Sequence, residues 1–212
     1  MQVRVRNDSV EIEGYVNAVE RKSRTLQSRI GKFVERICKG AFKRAIERND
    51  NIRLLLNHDR NRDLGGTKDG NLELKEDNIG LHARATITDK EVIEKARAGD
   101  LVGWSFGFSD RPDGVDEHDE NGVRLRDVKD LDLFEVSILD RSKIPAYEGT
   151  LVSVRSDDES ETVMYRSDPL LTDVEIREDP HETREHDEND MEKVIDYSRY
   201  EQLIKEMKGD NT

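Results

Sequence analysis

The 212-residue chain is poor in the residues that build and staple a compact core. Apolar residues make up 33% and aromatic residues 5%, against 39% charged. A single cysteine, Cys38, excludes an internal disulfide and a cysteine-cluster metal site, and it suits a reducing compartment. No apolar run approaches the roughly 18 residues that a membrane-spanning helix needs. The first residues lack the apolar centre of a signal peptide. These shortages predict a soluble, cytosolic protein without a membrane partner. A basic excess is missing too. The net charge is −13, and nothing could neutralise a row of phosphates, so no nucleic-acid partner is expected.

The charge is concentrated in one place. Residues 156–192 hold 15 Asp/Glu against 3 Arg, while residues 1–155 are nearly neutral. So polar a segment cannot bury enough apolar surface to offset its ordering entropy, which predicts disorder. Beyond it, Met191, Val194, Tyr197, Tyr200, Ile204 and Met207 recur every three or four residues, the spacing of an amphipathic helix. The expected organisation is a folded domain at 1–155, an acidic disordered linker at 156–189 and a helix at 190–208.

Short alternating runs dominate the first 155 residues. They include QVRVR, VEIEGYVNAV, FVERIC, IRLLLNH, NLELKE, GLHARATI, LVGWSFGF, GVRLRDV, LDLFEVSIL and TLVSVRS, separated by turn residues. Helices are expected only at 41–48 and 89–98, the second stopped by Gly99. The acidic stretch 109–121 reads as a mobile loop. Many short strands and few helices predict a mainly β fold, an antiparallel barrel or sandwich.

LVGWSFGF at 101–108 places Val102, Trp104, Phe106 and Phe108 on one strand face and Gly103, Ser105 and Gly107 on the other. A serine between glycines can be approached closely by a substrate backbone, as on an open groove. It becomes a nucleophile once a base takes its proton, and histidine is the usual base. Among five histidines, His58 ends the run IRLLLNH, on the face of Ile52, Leu54 and Leu56 by strict alternation. His82 reads as solvated. Glu135 falls on a face with Leu131, Leu133, Ser137 and Leu139. A carboxylate there is costly to bury without a partner, and His58 could be one. Each residue also has a plainer reading. Ser105 could be a small packing residue, His58 a loop histidine bonded to backbone, and Glu135 an ion-pair partner for Arg53 or Arg126. A metal site on His58 and Asp59 lacks further ligands at suitable spacing.

Several segments together resemble the prohead proteases of tailed bacteriophages, which are related in fold to the herpesvirus assemblins. They are KGAFKRAI at 39–46, LLLNHD at 54–59, LGGT at 64–67, GLHARATI at 80–87, GDLVGWSFGF at 99–108 and LFEVSILDRSKIPAYEGTLVSVR at 133–155. The resemblance implies an assemblin-type β-barrel and a serine endopeptidase without a cofactor. It implies Ser105 as nucleophile, His58 as base and Glu135 as third member, where assemblins use a second histidine. It places Arg141 near the oxyanion by loose analogy. The setting it implies is the immature capsid in the host cytoplasm, with the major capsid protein and scaffold segments as partners and a homodimer as the active form. Self-cleavage in the acidic segment is a further expectation. A non-catalytic head or scaffold component with the same barrel is the alternative.

Overall fold

Alternation of apolar and polar residues becomes alternation of burial in the computed structural model, which describes residues 1–28, 31–143, 154–155, 162–167 and 175–178. In chain order the elements begin with β1 (Gln2–Val5), β2 (Val10–Ala18), β3 (Leu26–Ser28), β4 (Gly31–Ile37), α1 (Ala41–Arg48), β5 (Arg53–Leu56), β6 (Asp59–Gly66), β7 (Leu72–Glu76) and β8 (Gly80–Ile87). They continue with α2 (Lys90–Arg97), β9 (Leu101–Asp110), β10 (Val115–Glu120), β11 (Val123–Val128), β12 (Leu131–Asp140), a 3₁₀ turn (Arg141–Lys143), β13 (Val154–Arg155), β14 (Thr162–Ser167) and β15 (Glu175–Glu178).

The fold is mainly β with two α-helices among the described residues, as expected. The strands form three sheets, in the orders β15-β1-β2-β8-β7, β10-β11-β4-β3 and β13-β14-β9-β12-β5-β6. No closed barrel is formed among the described residues. The sheets are also not purely antiparallel, because β1 with β15, β4 with β11 and β5 with β12 run parallel. Strand patterning specifies which face is buried but not which strands become neighbours, so these crossovers were not legible.

Both helices fall where expected. α2 is capped by Asp89, whose carboxylate accepts from the Val92 amide at 3.0 Å, and Gly99 at φ +70° ends it. α1 buries Ala41, Phe42 and Ala45, and the Phe42 ring meets Phe106 edge-on at 5.2 Å. That contact presses the helix on the core face of β9.

Two acidic stretches are strands rather than loop or coil. β10 lies in the stretch read as a mobile loop. It pairs with β11 so that Glu117 faces Arg126 and Asp119 faces Arg124. Opposite charges across the ladder offset repulsion along β10. Residues 162–167 and 175–178 are strands where a disordered linker was expected. Averaging charge over the acidic segment hid the short run TVMYRS. The rest of that segment, the helix expected at 190–208 and the PAY motif at 145–147 lie outside the described residues.

Candidate active site

The six-stranded sheet assembles the site on the face opposite the aromatic residues. β9 pairs with both β12 and β14, and directly paired residues share a face. Trp104 lies beside Ile138, Phe106 beside Val136 and Phe108 beside Leu133, all buried in the core. On the other face Ser105 lies beside Ser137, and Gly107 beside Glu135.

An irregularity in β12 makes this possible. The pairing shifts between Leu133 and Glu135, leaving Phe134 as an extra residue. Strict alternation would have put Leu133 and Glu135 on one face. The bulge instead sends Leu133 to the core and Glu135 to the face of Ser105.

His58 reaches the same face by a turn. β5 and β6 form a hairpin whose register pairs Leu56 with Asp59, so Asn57 and His58 are its two loop residues. Both have positive φ, 58° and 60°, the arrangement of a type I′ hairpin turn. The expected shared face of His58 with Leu54 and Leu56 is therefore not observed, because left-handed backbone breaks the alternation. The Asn57 amide donates to the Ile138 carbonyl at 2.9 Å, and the Asn57 side-chain oxygen accepts from the Asp140 amide at 3.0 Å. The turn is thus tied to β12.

The resulting geometry joins two of the three expected residues directly. His58 Nδ1 lies 2.8 Å from Glu135 Oε1. The other carboxylate oxygen accepts from the Ser137 hydroxyl at 2.5 Å, and that hydroxyl accepts from the His58 amide at 3.1 Å. Arg53 and Arg126, the other partners considered for Glu135, are engaged elsewhere: Arg53 with Asp63 and Asp69, Arg126 with Glu35, Asp110 and Glu117. Glu135 is buried, and its costs are met by His58 and Ser137. Its carboxylate lies over Gly107, where an added Cβ would stand 2.5 Å from Glu135 Oε1. The glycine expected to open a groove makes room for the carboxylate instead.

Ser105 is the third residue and is 2% exposed. Its hydroxyl donates to the Arg166 carbonyl at 2.7 Å rather than to His58. β14 covers it, and the Tyr165 ring packs on the His58 ring at 4.3 Å between centroids. Burial and the nearby Glu135 charge raise the Tyr165 pKa. Arg141 is exposed and binds the Gly99 carbonyl at 3.1 Å. His82 is half-buried against the Tyr15 ring.

Ser137 and Tyr165 were not among the expected site residues. Ser137 was visible only as a polar residue sharing the face of Glu135. Tyr165 was masked by its acidic surroundings.

An imidazole held 2.8 Å from a buried carboxylate, on a sheet face that also carries a serine, is an arrangement that can support acyl transfer. No curated protein and no solved structure matches this chain. The profile of the caudovirus prohead serine proteases matches residues 1–164, which contain His58, Ser105 and Glu135. The chain belongs to the caudovirus prohead serine protease family.

Proposed function

We propose that this chain is a serine endopeptidase that uses Ser105, His58 and Glu135 as its triad and cuts scaffold and coat-protein segments inside the immature capsid. The observation that carries the reading is the 2.8 Å contact between His58 Nδ1 and Glu135 Oε1 on the face that also holds Ser105. With Nδ1 directed at the carboxylate, Nε2 is the nitrogen left to serve the serine. His58 takes the Ser105 proton, and the oxygen attacks a peptide carbonyl. The protonated ring then supplies the leaving amine. Water, activated by the same ring, hydrolyses the acyl-enzyme. Backbone N–H groups are the expected oxyanion donors. A homodimer, on the likeness to assemblins, and a cut in its own acidic segment belong to the same reading.

The test is co-expression with the coat and scaffold proteins, followed by intact masses and fluorophosphonate labelling. Wild type is expected to label at Ser105 and shorten its partners. Ser105→Ala should fold and lose turnover by a factor of order 10⁶. Glu135→Gln should keep part of the activity, since the ring is misoriented but present. Normal processing by Ser105→Ala would sink the assignment.

A further inference from the structure

β14 lies on the nucleophile strand in the way an extended substrate would. Its register with β9 is antiparallel, with Met164 beside Phe108, Tyr165 beside Gly107, Arg166 beside Phe106 and Ser167 beside Ser105. Adding a strand to an edge is a standard mode of peptide recognition, in which main-chain bonds give affinity and side-chain pockets give specificity. Ser105 meets one particular peptide group in this pairing, because its hydroxyl donates to the Arg166 carbonyl at 2.7 Å.

The side chain on the acyl side of that peptide sits in a built pocket. Arg166 is 8% exposed and projects to the opposite face. Its Nε lies 2.8 Å from Glu35 Oε1, and a terminal nitrogen lies 3.2 Å from Oε2. The guanidinium also stands over the Phe108 ring, 5.5 Å from its centroid. A two-point contact with a buried carboxylate favours arginine over lysine. Glu35 does not depend on Arg166 alone, since Arg126 binds the same carboxylate at 2.5 Å. The pocket can therefore empty without leaving a buried charge unpaired.

We infer that residues 162–167 are a substrate strand bound in cis, that Arg166–Ser167 is the bond this enzyme cuts in its own chain, and that Glu35 is the carboxylate that selects arginine on the acyl side. The inference rests on Ser105 being the nucleophile. In the resting arrangement the serine proton points at the Arg166 carbonyl oxygen, so the hydroxyl must rotate before attack. The proton then passes to His58 Nε2 as the Ser105 oxygen bonds to the Arg166 carbonyl carbon. Breaking the carbon–nitrogen bond releases the Ser167 amine, which takes that proton from His58. Water adds to the ester and gives its proton to His58, the Ser105–acyl bond breaks, and the proton returns to Ser105. The products are an Arg166 carboxyl end and a released 167–212 segment. Until β14 is displaced, an incoming chain cannot pair with β9 at Ser105.

The experiment uses the full chain and two synthetic peptides. Wild type, Ser105→Ala and Arg166→Ala are purified side by side, their masses are followed with time, and wild type is labelled with a fluorophosphonate. Wild type is also given a peptide of residues 158–171 and the same peptide with alanine in place of the arginine. The expected result is wild type that labels at Ser105 in one portion and, in an unlabelled portion, yields chains ending at Arg166, with both variants intact at that bond. The alanine peptide should be cut about tenfold more slowly or worse. Wild type that labels in one portion, while an unlabelled portion leaves Arg166–Ser167 intact or cuts both peptides equally, overturns the inference and leaves the proposed function standing. Normal cutting at Arg166–Ser167, and normal processing of coat and scaffold proteins, by Ser105→Ala overturns both. The peptides keep the result readable if Arg166→Ala does not fold.

Discussion

Gly107 shows how one absent methyl group shapes the site. The Glu135 carboxylate fills the space over it, and an added Cβ would also stand 3.0 Å from the Tyr165 ring. Gly107→Ala must push Glu135 away from His58 or from Ser137. Overpacking of this kind costs about 1–3 kcal/mol, and turnover should fall towards that of Glu135→Gln. The check is a double-mutant cycle read by chemical denaturation. In a Glu135→Ala background the methyl group has room, so Gly107→Ala should destabilise less than it does in wild type. Equal costs in both backgrounds would place the clash elsewhere. At this scale the residues that share the site face were legible, because a serine between glycines, a histidine closing an apolar run and an isolated carboxylate each stand out from their neighbours, and the last two meet at 2.8 Å. What surrounds them was not. The Arg166 contact to Ser105 bridges 61 positions, and no local pattern marks such a pair.

The Asn57–His58 turn couples two elements, the β5–β6 hairpin and β12. Two non-glycine residues with positive φ are strained, by about 1–2 kcal/mol each for an ordinary side chain, and such strain persists where the surroundings hold it. Here Asn57 is held by Ile138 and Asp140, so β12 aims the hairpin that presents His58. Asn57→Ala loses both the tolerance for this backbone and the bond to the Asp140 amide. Asn57→Gly loses only the bond. Alanine is therefore expected to lower stability and turnover more than glycine, and thermal melts paired with peptide turnover measure the difference. Equal effects would mean that the side-chain bond, not the backbone, sets the turn. Most strands and both helices were readable from alternation and caps. The turn and the Phe134 bulge were not, because each reverses the alternation on which that reading depends. β10 escaped for another reason: its acidic residues look solvated until the arginines of β11 stand opposite.

At the scale of the whole molecule, buried charge joins elements that alternation leaves unrelated. Glu35 on β4 receives Arg126 from β11 and Arg166 from β14, which links the four-stranded sheet to the six-stranded one. Asp140 does similar work on the other side of the site. Its backbone amide holds Asn57, and its carboxylate accepts from the Ser142 amide at 2.9 Å and pairs with Lys95 of α2 at 3.0 Å. One residue thus ties β12 to the His58 turn, to α2 and to the 3₁₀ turn. Burial pushes this carboxyl up, but the hydrogen bonds from Ser142, Asn57 and Lys95 outweigh it and hold the pKa well below the usual carboxylate range. A group with a depressed folded pKa binds fewer protons folded than unfolded, so its stabilisation is present above the unfolded value of about 3.9 and is lost as pH falls below it. Asp140→Asn removes the charge at every pH. The variant is therefore expected to be less stable than the parent at pH 7, with the gap narrowing only below about pH 4. Urea denaturation of both chains at pH 7, 5, 4 and 3 measures this. Both should carry Ser105→Ala, so that self-cleavage does not change the chain during the titration. A gap near zero at pH 7, or one that stays constant down to pH 3, would show that the Asp140 charge contributes nothing to tying β12 to α2 and to the 3₁₀ turn.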